Sequence, residues 1–250
     1  MNAARLENNR WTRALVRRIP LALRRRIFRG EARYCPVCRH SVSRFFHFGG
    51  ANNPVWCPMC ESVERMRLNW LYLERDTDLC DGRPKRLLHV APEVNLAQLF
   101  QTLPNLERIT MDLEVRPGVM LRSNLTELAF PDASFDLIYC SHVLEHVEDD
   151  ARAMREMHRV LKPGGWAMLL VPPIRRDHTV EDPSITDRVG RHRRFGHPEH
   201  VRRYGRDYRD RLTAAGFRVT ALSAKDLVGE ENLVRYGVDN GDEVFRCDRD

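Results

Sequence analysis

Two pairs of cysteines are the residues whose types and spacing most clearly indicate a chemical role. Cys35 and Cys38 form one Cys-x-x-Cys pair, Cys57 and Cys60 form another, and eighteen residues separate the pairs. Each such turn presents two sulfurs to one metal ion, and two turns complete the tetrahedron that Zn²⁺ prefers. Because four thiolates leave no open coordination position, we predict a structural rather than a catalytic Zn²⁺ at these four cysteines.

Two disulfides and four free thiols are the alternatives for the same cysteines. No secretory signal is evident in the N-terminal residues, which disfavours disulfides. A segment of about 30 residues buries little core by itself, so the metal would supply the energy that folds it. We therefore predict a zinc-ribbon-like segment over residues 34–62, with Gly49 and Gly50 where its connecting hairpin reverses.

A second group of candidate residues, His142-Val-Leu-Glu145-His146, matches the His-x-x-Glu-His pattern of one metallopeptidase family. Such an enzyme needs both histidines on one face of a continuous helix, whereas this segment directly follows an apolar strand, so peptidase activity is disfavoured. Two roles stay open. Either these residues hold a divalent ion together with His197 or His200, or Glu145 and His146 cap the next helix and bond to neighbouring backbone.

The elements that must position these residues follow from the apolar pattern. A helix is predicted over 63–73 and a polar linker over 76–82, after which short apolar strands alternate with amphipathic helices. The strands are predicted at 87–90, 108–112, 135–140, 166–171, 217–222 and 243–247, and the helices around 96–103, 154–161 and 207–215. This alternation predicts an α/β fold: a mostly parallel sheet covered by helices on both faces, with ligands at the carboxyl ends of the strands.

The composition is that of a globular protein. The chain has 250 residues, of which 42 % are hydrophobic and 30 % charged, and no stretch reaches the ~20 apolar residues that a bilayer requires. Disordered, fibrous and membrane-spanning proteins are thereby excluded. We expect a cytoplasmic protein with a basic N-terminal arm at 1–33, the ribbon at 34–62, a helix and linker at 63–83 and a domain at 84–250.

Positive charge is concentrated in the N-terminal arm. Residues 1–33 hold ten Arg against two Glu, a net charge of +8, whereas the whole chain carries +6, so the remaining residues carry −2. Three roles stay open for this arm: peripheral contact with an anionic membrane, contact with phosphates, or a solvated segment that packs a few apolar residues on the body.

Two segments together resemble the class I S-adenosylmethionine-dependent methyltransferases. They are Phe135-Asp-Leu-Ile-Tyr-Cys-Ser-His-Val-Leu-Glu-His146 and Arg159-Val-Leu-Lys-Pro-Gly-Gly165, and the match is to the type 11-like subgroup of ubiquinone-pathway and small-molecule methyltransferases. The resemblance covers residues 84–247 and implies a Rossmann-like sheet with S-adenosylmethionine as the cofactor. The cysteine ribbon and the segment 194–202 look like a bacterial branch of this superfamily.

The resemblance also implies which residues hold the adenosine part of the cofactor. Asp112, at the end of the second predicted strand, would accept hydrogen bonds from the ribose hydroxyls, and Leu113 would lie against the adenine. Asn124 and Leu125 stand where the family usually has Asp followed by an apolar residue. There the side chain receives the adenine amino group and a backbone N–H meets a ring nitrogen, and Asn can still accept the first of these bonds.

The first loop departs from the family pattern. The family has an acidic residue in the first strand and then a Gly-x-Gly-x-Gly turn, whereas the corresponding stretch here is His89-Val-Ala91-Pro-Glu93-Val-Asn95, without glycine. His89 takes the acidic position and Ala91 the first Gly position. Our hypothesis is that Glu93 replaces the missing carboxylate and holds the methionine ammonium group. The alternative is that Glu93 caps the following helix in a site that no longer binds the cofactor.

Three residues that follow the next strand, Cys140, Ser141 and His142, are implied to lie beneath the methionine end of the cofactor. A base is needed only when the methyl acceptor is a hydroxyl or a protonated amine. His142 is our first candidate for that base because its position faces the methyl end, and His146 is the second.

The predicted function is methyl transfer from S-adenosylmethionine to a small or carrier-bound acceptor. Arginines between 172 and 205, including Arg175, Arg176 and Arg191, suit an anionic or sugar-containing acceptor, unless they form only a solvated surface. One alternative is an RNA methyltransferase that uses the ribbon for recognition, but nucleic acid is the less expected partner because the body is slightly acidic. Phe45, Phe46, Phe48 and Arg44 come closest to an RNA-binding platform. A second alternative is a non-catalytic binding protein on the same fold.

Overall fold

A computed structural model describes residues 10–48, 54–238 and 241–250, so the predicted hairpin reversal at Gly49 and Gly50 lies outside the described residues. The chain divides into two compact units. The N-terminal unit comprises the described part of 1–81 together with that of 223–242, and the sheet unit comprises 82–222 and 243–250.

The helices and strands alternate through the sheet unit as the sequence predicts. The helices are α1 (Arg10–Arg18), α2 (Leu21–Ile27), α3 (Glu64–Arg75), α4 (Val94–Gln101), α5 (Asp150–Val160), α6 (Arg188–Phe195), α7 (Tyr208–Ala214), α8 (Ala224–Val228) and α9 (Glu230–Tyr236). The strands are β1 (Arg33–Cys35), β2 (His40–Val42), β3 (Lys85–Val90), β4 (Leu106–Asp112), β5 (Leu121–Arg122), β6 (Phe135–Ser141), β7 (Leu161–Leu170), β8 (Val180–Glu181), β9 (Arg202–Arg203), β10 (Arg218–Ser223) and β11 (Glu243–Asp248).

Seven strands of the described residues form one sheet in the order β10-β11-β7-β6-β3-β4-β5. β3 runs parallel to β4 and to β6, β6 runs parallel to β7, and β11 is antiparallel to β7. The prediction of an α/β, Rossmann-like fold is confirmed. The strand order reverses at β3, which lies between β4 and β6, so the ligand crevice of such a sheet is expected at the carboxyl ends of these strands.

The core explains why these segments take these conformations. Leu88 of β3 pairs in register with Ile109 of β4 and Ile138 of β6, and these apolar strands are covered by amphipathic helices. α5 buries Met154 and Met157 completely, and it begins where the side chain of Asp149 accepts a hydrogen bond from the Arg152 N–H.

One predicted boundary differs from the structure. The helix predicted around 154–161 and the strand predicted at 166–171 leave a turn at 162–165, but β7 begins at Leu161 and includes these residues. The pairing with β6 shifts register between Phe135 and Leu137, and Gly164 has φ +76°, a value that glycine adopts without strain. The turn is therefore an irregularity inside the strand.

The N-terminal unit contains a sequence-distant segment. β1 and β2 form an antiparallel hairpin in which Cys35 pairs with His40. α3 confirms the helix predicted over 63–73, and its Arg67 is fully buried. The Arg67 guanidinium donates to the carbonyls of Tyr236 and Gly237 at 2.6 and 2.8 Å. Residues 223–242 therefore belong with this unit, whereas the sequence placed them in the domain at 84–250.

The described part of the basic arm forms α1 and α2. Val16 and Phe28 are buried, while Leu15 and Ile27 are exposed. Arg17 forms an ion pair with Glu61 at 2.6 Å, so part of the arm packs on the cysteine-containing segment of the same unit. The helices of the described residues are all too short or too polar to cross a bilayer. Membrane contact and location in the cell stay predictions.

Candidate functional site

The strand register brings the predicted cofactor residues to one edge of the sheet. Val90 pairs with Met111 on one side and with Cys140 on the other. The next residues along each strand are Ala91, Asp112 and Ser141, which therefore lie at the same level at the carboxyl ends of three adjacent parallel strands. This edge is the place at which the topology predicts the ligand crevice.

The turn after β3 has the backbone of a glycine-containing loop although it contains no glycine. Ala91 has φ +47°, in the left-handed region, and its N–H donates to the carbonyl of Met111 at 2.8 Å. A left-handed conformation costs a residue with a Cβ roughly 1–2 kcal/mol. The turn thus holds a residue with a side chain in a conformation that glycine adopts without strain.

Glu93 follows this turn and stands at the N-cap position of α4, but its side chain makes no capping hydrogen bond. Its Oε2 accepts a hydrogen bond from the Tyr139 hydroxyl at 3.4 Å. The geometry thus does not support the capping alternative. It leaves a carboxylate near the carboxyl edge of the sheet, as the ammonium-binding hypothesis requires.

His89 is buried beneath the same turn. Its ring packs edge-to-face against Phe100 and Tyr139, with centroids 5.1 and 5.3 Å apart. Neither ring nitrogen has a hydrogen-bond partner among the described residues. Burial, together with Arg108 and Arg116, lowers the pKa of His89 to about 3. Because the ring is 0 % exposed, a nitrogen would have to leave this position to reach a cofactor.

Asp112 ends β4 and holds Arg116 in an ion pair, with Oδ2 2.5 Å from Nη2. The backbone N–H of Glu114 donates to its Oδ1 at 3.3 Å. The neighbouring Leu113 side chain is 59 % exposed. A carboxylate beside an exposed apolar side chain suits a ribose next to a flat base. The ribose hydroxyls and the Arg116 guanidinium would then both bind the Asp112 carboxylate.

Asn124 and Leu125 are placed differently from each other. Asn124 is exposed, and its Oδ1 accepts the Thr126 N–H at 3.0 Å. An amide oxygen has two lone pairs, so one is left for the adenine amino group that the resemblance implies. The Leu125 side chain belongs to the core, so only its backbone is available for contact.

The end of β6 carries an orphaned hydroxyl. Ser141 is 5 % exposed, and its Oγ has no hydrogen-bond partner among the described residues, a costly arrangement that a bound ligand would relieve. His142 follows with φ +56°, and its Nδ1 lies 3.5 Å from Oε1 of Glu145.

The Cys140 thiol is buried in the core, and burial together with the nearby Glu145 raises the pKa of this thiol. Cys140 therefore offers only its backbone to a ligand.

The segment after β6 excludes the peptidase arrangement. His142 lies in the turn, whereas Glu145 and His146 belong to a single 3-10 turn, Leu144–His146, which has no side-chain cap hydrogen bond. Because Asp149 caps α5 instead, the prediction that Glu145 and His146 cap the helix is wrong, whereas His146 does contact backbone, with Nδ1 3.1 Å from the Glu199 carbonyl oxygen. Glu145 is 1 % exposed.

Three histidines from two distant segments converge next to this turn. The ligand nitrogens of His146, His197 and His200 all lie within 4.8 Å of one another. Burial and neighbouring imidazoles lower the pKa of His200 to about 4, and burial lowers that of His146. Both rings are therefore neutral near pH 7.

Arg202 locks the two segments together, and the sequence analysis did not single it out. Its guanidinium, 4 % exposed, donates to the carbonyls of Leu144 and Glu148 at 3.0 and 2.7 Å, and also to Val147. It pairs with Glu181 at 3.0 Å. The closely spaced arginines and tyrosines after His200 were the available signal, but only the fold shows which arginine is buried.

A cavity of about 210 Å³ opens beside the histidines. Its lining includes Glu145, Pro172, Pro173, Phe195, His200 and Arg203. Burial and the neighbouring Arg176 and Arg175 lower the pKa of Arg203. The cavity is bordered by residues that follow β6 and β7, so it lies at the carboxyl side of the sheet.

The four cysteines of the N-terminal unit have the spacing of a tetrahedral thiolate site. Their sulfurs all lie within 4.8 Å of one another, with 3.6 Å between Cys35 and Cys60 and 3.9 Å between Cys38 and Cys57. A tetrahedron with Zn–S bonds of about 2.3 Å has sulfurs about 3.8 Å apart. All four are free thiols. These residues fit Zn²⁺.

Comparison with known proteins matches the middle of the chain to one family. Residues 94–169 match the family model described as "Methyltransferase domain". The uncharacterized methyltransferase YcgJ of Bacillus subtilis is 41 % identical over 76 residues, which are 30 % of this chain and 28 % of that protein. The ubiquinone/menaquinone biosynthesis C-methyltransferase UbiE of Proteus mirabilis is 50 % identical over 50 residues, 20 % of each chain. The matches thus span less than a third of these relatives.

Solved structures match a larger part of the fold. The 1,6-didemethyltoxoflavin-N1-methyltransferase of Burkholderia thailandensis, solved with S-adenosylhomocysteine, has a TM-score of 0.51 at 15 % identity, covering 75 % of this chain and 78 % of that one. The chain has a Rossmann-like methyltransferase fold. The [4+2]-cyclase SpnF has a TM-score of 0.53 at 15 % identity, covering 82 % of this chain and 86 % of that one. One fold thus carries proteins named for different reactions, and the site must decide the chemistry.

Proposed function

We propose that the chain is an S-adenosylmethionine-dependent methyltransferase that acts on a small or carrier-bound acceptor. The observation that carries this proposal is the alignment of Ala91, Asp112 and Ser141 at the carboxyl edge of the sheet, reached through the strand register. The family match over residues 94–169 supports it. When bound, the cofactor supplies the methyl group on its sulfonium.

Each residue of the edge has a role in this proposal. Glu93 holds the methionine ammonium, Asp112 holds the ribose hydroxyls, and Leu113 and Asn124 hold the adenine. The orphaned Ser141 hydroxyl gains a polar partner. Most of the acceleration in methyl transfer comes from aligning the acceptor with the methyl group, so these residues act by orientation.

An anionic acceptor is the second part of the proposal. The cavity beside the sheet edge is lined by Arg203, whose pKa is lowered by burial and by the positive charges of Arg176 and Arg175. Arginine suits carboxylates and phosphates because its donors form a planar fork. For a hydroxyl acceptor, His142 is the base, with Glu145 at 3.5 Å to stabilise its charged form. His146 remains the second candidate.

Recognition of RNA by the ribbon has less support. Phe45 and Phe46 are buried, so their rings are not available to stack on bases. The exposed Phe48 is covered by the Arg13 guanidinium, 4.4 Å from the ring centroid. Phe48 is thus the one exposed ring of the three, whereas proteins that bind single-stranded RNA stack successive bases on several aromatic side chains.

Calorimetric titration with S-adenosylmethionine and S-adenosylhomocysteine tests the cofactor proposal. We expect micromolar binding to the wild type and at least tenfold weaker binding to Glu93→Gln and Asp112→Asn, since each loses a charged hydrogen bond. Glu107→Gln is the matched control, because this exposed glutamate pairs with Arg86 near the opposite end of β4. Absence of binding at millimolar cofactor, in folded protein, would favour the non-catalytic alternative.

The acceptor class and the zinc site need separate measurements. Methyl transfer from labelled cofactor into a metabolite extract, fractionated by anion exchange with and without nuclease, separates anionic small acceptors from RNA. Elemental analysis measures zinc, and we expect the cluster of Cys35, Cys38, Cys57 and Cys60 to account for one ion per chain. The substitution Cys35→Ser should remove it, whereas Cys80→Ser should not, because Cys80 is outside the cluster.

A further inference from the structure

The three converging histidines lie in the sheet unit, apart from the four-cysteine cluster. His146 follows β6 at the end of its 3-10 turn, while His197 and His200 lie in the loop between α6 and β9. The His200 ring centroid is 4.7 Å from that of His146 and 4.8 Å from that of His197. Such proximity of three imidazoles is the arrangement that a transition metal uses, and nothing in the cofactor proposal requires it.

Backbone contacts hold the loop against the turn. The Val201 N–H donates to the carbonyl of Glu145 at 2.9 Å, immediately next to His146. Gly196 ends α6 in a left-handed conformation, with φ +87°, after the buried Phe195. The Arg202 guanidinium, which donates to the carbonyls of Leu144 and Glu148, also holds this loop against the turn. The two histidine-bearing segments are thus fixed by contacts independent of the imidazoles.

Hydrogen bonds also orient the rings. A carbonyl oxygen can only accept, so the 3.1 Å contact between His146 Nδ1 and the Glu199 carbonyl places the proton on Nδ1 and leaves the lone pair of Nε2 for a ligand. This is the arrangement that metal-binding histidines use in proteins. His197 Nδ1 accepts a long hydrogen bond from the Glu199 N–H at 3.3 Å, which coordination would exchange for a metal bond.

We propose that His146, His197 and His200 bind a divalent transition-metal ion of the Zn²⁺ class. Three imidazoles without a thiolate suit Zn²⁺, Co²⁺ or Ni²⁺ rather than Mg²⁺. Three protein ligands leave a coordination position open, as in catalytic zinc sites. Bonds of about 2.1 Å need nitrogens about 3.4 Å apart, so the rings must close by little more than about 1 Å.

The surroundings give the ion a place next to the acceptor cavity. The buried Glu145 has Oε1 4.0 Å from His200 Nε2, so a carboxyl group borders the cluster and favours a cation. His200 and Glu145 both line the cavity of about 210 Å³. The ion would therefore offer its open position to an oxygen of the acceptor. This role rests on the proposed methyltransferase function, whereas binding of the ion does not.

Metal content of the full chain tests the site. Wild type, His197→Ala and His192→Ala are incubated with Zn²⁺, freed of excess metal and analysed for zinc, and the added ion is titrated by calorimetry. His197 is exposed, so its loss should leave the fold intact. His192 is the matched control, an exposed histidine of α6 outside the cluster.

We expect His197→Ala to hold one zinc ion fewer per chain than the wild type, and His192→Ala to hold as many. Titration with Co²⁺ should give the visible absorption of a site with nitrogen ligands, without thiolate charge-transfer bands. The substitutions His146→Ala and His197→Ala should remove this absorption. Equal zinc content in wild type and His197→Ala, or binding only in the millimolar range, would overturn the proposal. Cofactor binding measured on the same samples separates this failure from failure of the methyltransferase proposal.

Discussion

Ala91 holds a left-handed backbone at φ +47°, where a glycine would adopt the same conformation without a steric penalty. Replacing Ala91 by Gly removes that penalty but gives the unfolded chain more freedom, so we expect the sheet unit to gain about 0.5 to 1 kcal/mol of stability. Native-state hydrogen exchange of β3 and β6 measures the change. Ala97→Gly, inside α4, is the control and should instead lose about 1 kcal/mol. A loss of stability in both variants would contradict the strained turn.

His89 should make the stability of the sheet unit depend on pH. Its pKa is about 3 in the folded state and about 6.5 in an unfolded chain. As the pH falls, the unfolded state therefore binds the proton before the folded state does. The stability that the neutral His89 ring contributes is complete above pH 6.5 and is lost progressively as the pH falls toward 3. Between pH 7 and pH 5 the loss is about 2 kcal/mol.

Hydrogen exchange of β3 at the two pH values checks this prediction by comparison of variants. His89→Phe should lose about 2 kcal/mol less than the wild type between pH 7 and pH 5, because its ring cannot take up a proton. His192→Phe, at an exposed position, should keep the wild-type dependence. An unchanged dependence in His89→Phe would mean that the ring is protonated in the folded state.

The sequence predicted the edge residues better than the direction of their side chains. Asp112 and Ser141 follow from counting along apolar strands, because parallel strands end at one edge of the sheet. Family position also singled out His89 and Cys140, but these side chains lie in the interior, as does that of Leu125, where the resemblance implies only a backbone contact. At such positions a resemblance indicates only that the backbone passes the ligand, and packing decides where the side chain goes.

At the scale of elements, the loop between α6 and β9 depends on one buried arginine. Arg202→Met would leave the carbonyls of Leu144, Val147 and Glu148 without their donor, and Glu181 without one of its partners. Breaking a buried, hydrogen-bonded charge pair costs about 3 to 5 kcal/mol, so we expect a loss of this size in the sheet unit. Urea unfolding followed by hydrogen exchange of α5 measures it.

Arg203→Met is the matched control for that variant, because Arg203 is partly exposed and makes none of the carbonyl contacts that Arg202 makes. It should change stability by less than about 1 kcal/mol. Equal losses of stability in the two variants would show that the loop does not depend on the hydrogen bonds of Arg202. Sequence reasoning found the helices and strands around this loop from their apolar periodicity, but an arginine that bonds to carbonyls 54 to 58 residues away leaves no periodic signal.

At the scale of the molecule, chain order and packing disagree about residues 223–242. These residues follow β10, so the sequence assigned them to the last domain, yet the structure groups them with the N-terminal unit. The reason is physical: α9 ends at the carbonyls that receive the buried Arg67 guanidinium. Tyr236 also packs against Tyr34, with ring centroids 6.0 Å apart. Contiguity along the sequence could not reveal contacts separated by about 170 residues.

Removal of zinc should therefore unfold two distant segments together. In the proposed zinc site, binding of the metal by the four cysteines supplies much of the energy that folds the segment around them, and Arg67 joins that segment to the end of α9. With a strong zinc chelator, we expect amides of β1, β2 and α3 to lose protection from hydrogen exchange, and those of α8 and α9 to lose it with them. Amides of β3, β6 and β7 should remain protected, because their core belongs to the sheet unit. The Cys35→Ser variant should behave in this way without chelator and Cys80→Ser should not. Retained protection of α8 and α9 after metal loss would place this segment with the sheet unit.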